Sequence, residues 1–176
     1  AGENAARALL AKTALYMGDW NTVVNQCDSI FSSPKGLALI DFNTTTLSIY
    51  ATASSYNALI RSNSSSEAIF AGGYASSPIT QITTVSTFAA SEDLLGLYGE
   101  NDLRYASGKN SYFFQYSSGY YGSYRVNSAS KLPGVSLLFS EVYLNKAEAL
   151  ALLGRESEAI STLQELRDKR MSDAGT

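Results

Sequence analysis

The sequence predicts a mainly α fold built from tetratricopeptide-like helical hairpins, with an irregular, partly β insert between them. Three observations predict it. The two ends of the chain carry similar pairs of amphipathic segments, each pair joined by a glycine. The middle is rich in Ser, Thr and Asn with only short apolar groups. A tyrosine-dense stretch near residues 109–128 has the look of a β-hairpin. The expected division is a helical hairpin over residues 1–32, an insert over 33–135 and a second helical hairpin over 136–171, all within one domain portion spanning 1–176.

The first element is helical because Ala5, Ala6, Leu9, Leu10, Thr13, Ala14 and Met17 recur at steps of three and four. Gly18 ends it, since glycine accepts the left-handed backbone of a helix C-terminus. Asp19 is placed to cap the next helix, whose face is Trp20, Val23, Val24, Cys27, Ile30 and Phe31. Within the insert, a short helix is expected at residues 56–61. Another is expected at 91–98, with Ser91 as cap, Glu92 and Asp93 in the first turn and Gly99 as stop. Strands are expected at 111–116 and 120–126, turning at Ser117-Ser118-Gly119. Pro133-Gly134 marks a break. The closing helices run over 138–153, with Leu138, Val142, Tyr143, Ala147, Leu150 and Ala151 apolar, and then past Gly154, with Ala159, Ile160, Leu163 and Leu166 inward.

The hairpins match in detail. Residues 11–20 followed by Val23-Val24, and residues 147–156 followed by Ala159-Ile160, each give a helix with small residues on one face, a glycine turn and a second amphipathic helix. Small residues let two antiparallel helices approach closely, as in tetratricopeptide units.

Composition narrows the chemistry. The 176 residues are 45% apolar, which suits a globular core. Only 16% are charged, the net charge is −3, and twelve tyrosines stand among many hydroxyl and amide side chains. Such a surface suits neutral polar ligands. Thirteen Lys and Arg, dispersed along the chain, form no basic stripe for nucleic acid. There is no histidine, which excludes Ser-His-Asp and Cys-His catalysis and most zinc sites. The single cysteine, Cys27, forms no internal disulfide and sits on an apolar helix face as a buried thiol. No run approaches the length of a membrane helix. The start lacks the pattern of a signal peptide, as a mature or truncated secreted protein also would.

The site candidates are Tyr112, Tyr116, Tyr120, Tyr121 and Tyr124, with Asn110, Gln115 and Arg125 beside them. Aromatic rings offer apolar area to the C–H faces of sugars, and polar edges bind the hydroxyls. The same tyrosines also fit cross-strand pairs in a core or a protein contact. Glu92, Asp93, Glu100 and Asp102 are the nearest approach to a glycosidase acid pair. Glu92 and Asp93 are better explained by a helix start, and Asp102 with Arg104 by a turn. Glu141 and Glu148 are expected to be partners of cations or backbone. No catalytic residue, metal or cofactor is expected. A tetratricopeptide adaptor for protein partners is the alternative function.

A family resemblance joins these features. Residues 140–154, Ser-Glu-Val-Tyr-Leu-Asn-Lys-Ala-Glu-Ala-Leu-Ala-Leu-Leu-Gly, resemble a signature of the SusD/RagB family. Glu158-Ala159-Ile160 and residues 166–170 continue it, and Ala8-Leu9-Leu10-Ala11 through Gly18-Asp19-Trp20 resembles the family's opening helix. Glu67-Ala68-Ile69-Phe70, and Asp93-Leu94 with Tyr98 and residues 101–104, also match in order. Leu138 and Gln164 stand where the family often has Arg and Asn. The resemblance implies a SusD-like fold and a partial chain of a longer lipoprotein, held at the surface of a Gram-negative outer membrane by a lipid anchor not present here. It further implies glycan binding without hydrolysis and delivery to a SusC-like TonB-dependent transporter.

Overall fold

A computed structural model describes residues 2–34, 36–44, 65–74, 91–104, 113–115, 121–123 and 133–172. The N-terminal hairpin is α1 (Gly2–Met17) and α2 (Trp20–Phe31). Strand β1 (Ala68–Tyr74) and the short helix α3 (Glu92–Gly96) follow, then β2 (Phe113–Gln115), β3 (Tyr121–Ser123) and β4 (Pro133–Leu138). The C-terminal hairpin is α4 (Phe139–Leu152) and α5 (Glu156–Asp168). The expected helix at 56–61 lies outside the described residues.

Both helical turns use one device. Gly18 N–H donates to Leu15 O at 3.2 Å and Asp19 N–H to Ala14 O at 3.0 Å. In the other hairpin Gly154 N–H donates to Ala151 O at 3.0 Å and Arg155 N–H to Leu150 O at 2.9 Å. These are paired Schellman bonds, which satisfy the last carbonyls of a helix and require a left-handed residue. Gly18 has φ +77° and Gly154 φ +72°, as the turn reading expects. A β-carbon on Gly18 would also meet the Trp20 ring at 3.6 Å, whereas none is crowded at Gly154. Gly18→Ala and Gly154→Ala are therefore each expected to cost about 1–2 kcal/mol through backbone strain, measured by chemical denaturation. Similar losses at the two sites would locate the effect in φ, not in contact with Trp20.

Asp19 caps α2 as anticipated. Its Oδ2 accepts from the Thr22 hydroxyl at 2.6 Å and its Oδ1 from the Thr22 N–H at 3.2 Å. These bonds hold its carboxyl below the ordinary value. Ser91 Oγ accepts from Leu94 N–H at 3.2 Å, so α3 begins where the cap places it, although it is shorter than the expected 91–98. Pro133 is not a break but the first residue of β4, a strand position that needs no proline N–H. β4 runs antiparallel to β1, with a register shift between Ala68 and Phe70. Phe139 N–H, at the start of α4, donates to Glu67 O at 2.8 Å, so the ribbon leads directly into the C-terminal hairpin.

The hairpins share one apolar cluster: Ala8, Ala11 and Ala14 from α1, Val23, Val24, Cys27 and Ile30 from α2, Ile69 from β1, Phe139, Val142, Ala149 and Leu150 from α4, and Ala159 from α5. Trp20 is partly buried against it. Phe31, Phe139 and Tyr143 add an aromatic trio, Phe31–Phe139 edge-to-face at 5.4 Å and Phe139–Tyr143 at 5.2 Å. Lys146 lies 4.8 Å over the Phe31 ring and pairs with Asp28 at 2.7 Å, while Lys12 pairs with Glu141 at 2.6 Å. Both ions tie α4 to the N-terminal hairpin.

Three apolar faces differ from expectation. On α1 the buried residues are Asn4, Ala8, Ala11 and Ala14, whereas Leu9, Leu10, Thr13 and Met17 face outward. On α4 Ala149 is buried and Ala151 is exposed. On α5 the buried residues are Ala159 and Thr162, with Leu166 partly covered, and Ile160 and Leu163 are exposed. The cause is helix proximity. Small side chains at the seam allow close approach of the axes, which turns the larger residues away. Thr162 tolerates burial because its hydroxyl donates to Glu158 O at 2.8 Å.

Candidate functional site

The tyrosine-rich hairpin forms, as a sheet separate from the β1–β4 ribbon. Phe113 pairs with Ser123, Phe114 with Gly122 and Gln115 with Tyr121 in antiparallel register. The expected turn at 117–119 lies outside the described residues. Of the candidate ligand residues, Tyr121 lies on β3 opposite Gln115. Asn110, Tyr112, Tyr116, Tyr120, Tyr124 and Arg125 lie outside the described residues.

The sequence reading missed the chain's best-defined polar cluster. Glu67, just before β1, is fully buried, and its Oε1 accepts from Ile40 N–H at 2.7 Å and from Arg170 Nη2. Arg170, just beyond α5, also donates from Nη1 to Ile40 O at 2.5 Å, and its guanidinium lies 4.6 Å from the buried Phe42 ring. Glu67 Oε2 has no hydrogen-bond partner among the described residues. Around this ion pair the backbone is stitched together. Phe42 N–H donates to Lys169 O at 3.0 Å, and Asn43 Nδ2 to Asp168 O at 3.0 Å. Lys169 Nζ donates to Asp41 at 2.8 Å, which holds the Asp41 carboxyl below its ordinary value. The signal was available: Glu67 and Arg170 both lie in stretches that carried the family resemblance.

A second polar knot joins residues 99–104 to the chain beyond α5. Asp102 is buried and accepts a forked pair from Arg104, Nε to Oδ1 at 2.8 Å and Nη2 to Oδ2 at 2.5 Å. Asp102 Oδ1 also accepts from Arg104 N–H at 2.9 Å, so this pair fixes a turn, as expected. Leu103 N–H donates to Arg170 O and Ser172 N–H to Asn101 O, both at 2.9 Å. Beside this seam lies a groove of about 320 Å³ lined mainly by Ile160, Leu163, Leu166, Arg167, Met171 and Arg104.

Reactive groups are few. Burial pushes the Cys27 thiol up to about 12, with Asp28 adding to the effect. Against an ordinary value of 9.0, that lowers the thiolate population by about a thousandfold. Cys27 is therefore expected to resist a thiol reagent in the native state and to react at the rate of global opening. Fast native labelling would show that α2 and α4 separate readily. Burial also raises the Tyr143 hydroxyl to about 12, with the Glu165 carboxylate contributing. Glu141 is engaged with Lys12, as its partner role anticipates. Among the described residues no cluster of three potential metal ligands occurs, and no helix is long and apolar enough to cross a membrane.

No family model and no curated protein matches the sequence. Solved structures do match the fold. A SusD superfamily protein from Bacteroides thetaiotaomicron VPI-5482 superposes with a TM-score of 0.67 at 20% identity, over 97% of this chain and 41% of that one. A SusD superfamily protein from Bacteroides vulgatus ATCC 8482 gives 0.59 at 16% identity, over 96% of this chain and 43% of that one. A SusD-like carbohydrate binding protein from the same strain gives 0.66 at 18% identity, over 96% and 37%. The chain thus spans about two fifths of the length of the solved structures it matches. With two glycine-turned helical hairpins joined through a β ribbon, and these superpositions over nearly all its length, the chain has the fold of the SusD superfamily.

Proposed function

We propose that this chain is part of a glycan-binding protein displayed on the outer membrane of a Gram-negative bacterium, where it captures polysaccharide or oligosaccharide and passes it to a SusC-like TonB-dependent transporter. The observation that carries this reading is the superposition of 96% of the chain on a SusD-like carbohydrate binding protein. The low-charge, tyrosine-rich composition supports it, because neutral sugars are held by rings and hydroxyls more than by ions. The contact residues proposed are Tyr112, Tyr116, Tyr120, Tyr121 and Tyr124, with Asn110 and Arg125 at the edges. Five tyrosines within residues 112–124 offer large contact area at low cost in side-chain entropy.

The binding is non-catalytic in this reading. The chain lacks histidine, and Asp102, a member of the nearest acid group, is committed to Arg104. The test is a glycan array on the full-length protein, followed by Tyr120→Ala, Tyr121→Ala and Tyr124→Ala combined. Each ring is expected to contribute about 0.5–1.5 kcal/mol to binding beyond its buried area, with thermal stability nearly unchanged. Collapse of stability would make the rings core, and unchanged binding would move the site elsewhere. Incubation with a captured oligosaccharide is expected to release no new reducing ends. Release abolished by changing Glu92, Glu100 or Asp102 would overturn the non-catalytic reading.

A further inference from the structure

The two glycine turns fix a residue-by-residue equivalence between the hairpins. Gly18 and Gly154 take similar left-handed angles, and the carbonyls of Ala14 and Leu15 accept at the first turn as those of Leu150 and Ala151 do at the second. In that register Val23 of α2 falls on Ala159 of α5, and both are buried. Val24, Cys27, Asp28 and Phe31 fall on Ile160, Leu163, Gln164 and Arg167.

On α2 those positions make the side that receives α4. Phe31 meets the Phe139 and Tyr143 rings at 5.4 and 4.6 Å, and Asp28 pairs with Lys146 at 2.7 Å. Cys27 and Val24, one and two turns earlier on the same side, are buried in the cluster that includes Phe139 and Val142. On α5 the four equivalent residues line the groove of about 320 Å³, where Ile160 is 65% and Leu163 44% exposed. Among the described residues no helix does for α5 what α4 does for α2. Helical-hairpin repeats bury their faces by stacking, each unit meeting the next through the same surface.

We propose that the α5 groove seats the first helix of a third hairpin, supplied by the part of the longer protein outside residues 1–176 and placed against α5 as α4 is placed against α2. The inference rests on the reading that this chain is part of a longer protein, and the solved structures it matches are more than twice its length. The residues of the groove specify the helix that fits. Ile160 and Leu163 call for apolar side chains at spacings of three and four. Arg167 and Gln164 stand where Phe31 and Asp28 hold Lys146, so the seated helix carries a carboxylate at that level and not an ammonium. In the longer protein Ile160 then counts as a seam residue, whereas in residues 1–176 alone it is exposed.

Thiol labelling of the purified full-length protein tests the proposal. Ile160→Cys and Leu163→Cys are compared with Ser161→Cys, whose α2 equivalent, Asn25, stays exposed beside α4. The tryptic peptide between Arg155 and Arg167 carries all three positions and no native cysteine, so its mass reports each rate. Cysteines at 160 and 163 are expected to label about tenfold or more slowly than the one at 161, and equally fast after denaturation. Equal native rates would overturn the proposal, and so would protection that is lost on dilution, which would put a second molecule in the groove. A photo-cross-linking residue at position 163 gives a reading that does not depend on cysteine. Its expected product joins α5 to an amphipathic segment of the same polypeptide outside residues 1–176. A cross-link within residues 1–176 would overturn the proposal. Neither measurement involves glycan, so a protein that protects the groove and binds no sugar would retain this inference and refute the glycan-binding reading.

Discussion

Replacing Glu67 with Gln is expected to lower the unfolding free energy by about 3–5 kcal/mol, the range typical of breaking one partner out of a buried ion pair. Glu67 is fully buried and the Arg170 side chain is 8% exposed, so water cannot compensate either charge once the other is gone. The substitution keeps an acceptor for the Ile40 N–H, so that hydrogen bond survives. It also places an amide N–H₂ where Oε2 lacks a partner among the described residues, and an unmet buried donor adds its own desolvation cost. The ion pair does more than join two side chains. Through Ile40 and Phe42 it fixes residues 36–44 against the end of α5, and through Glu67 it anchors the start of β1. Chemical denaturation with a double-mutant cycle checks this. Glu67→Gln with Arg170→Met should cost much less than the sum of the single changes, because the double variant leaves no unpaired buried charge. A loss for Glu67→Gln within about 0.5 kcal/mol, the range of ordinary surface changes, would show that the pair anchors nothing.

Much of the fold was legible in the sequence because the signals were local. Gly18 and Gly154 declare left-handed helix ends, Asp19 and Ser91 declare caps, and the periodicity of Val23, Val24, Cys27 and Ile30 declares the face of α2. The strands at Phe113–Gln115 and Tyr121–Ser123 also fall within the aromatic stretches that the composition marks as strands. What was not legible depends on distance in sequence. β1 and β4 pair across residues 75–132, and neither strand alternates strongly enough to announce its partner. The Glu67–Arg170 pair spans more than half the chain, and each member alone reads as a surface charge. The outward faces of α1 and α5 failed for a different reason. Hydropathy ranks leucine and isoleucine above alanine, but a close helix seam selects for size. Alanines at positions 8, 11 and 14 and at 159 therefore took the interior places. The tyrosine cluster is a third case: composition gives the density of rings, and their direction depends on tertiary packing.

Leu150→Ala and Ile160→Ala make the seam argument quantitative, because sequence periodicity treats the two residues alike and the structure does not. Leu150 is fully buried, and it belongs to the cluster that unites α1, α2, α4 and α5. Truncation there removes apolar contact and leaves a cavity that the tightly apposed helices cannot fill by moving, since the neighbouring α4 and α5 positions, Ala147, Ala149 and Ala159, are already small. The expected cost is about 2–5 kcal/mol, the range for large aliphatic residues in packed cores. Leu150 also lends its carbonyl to the Arg155 N–H in the Schellman turn, so a shift of its backbone would reach the turn itself. Ile160 is 65% exposed, and its truncation opens no cavity. The same change there is expected to stay within about 0.5 kcal/mol. Guanidinium denaturation of the two variants of this chain measures both losses. Equal losses would mean that α5 packs through Ile160 as hydropathy alone suggests, and that the alanine seam is not the face that holds the C-terminal hairpin together.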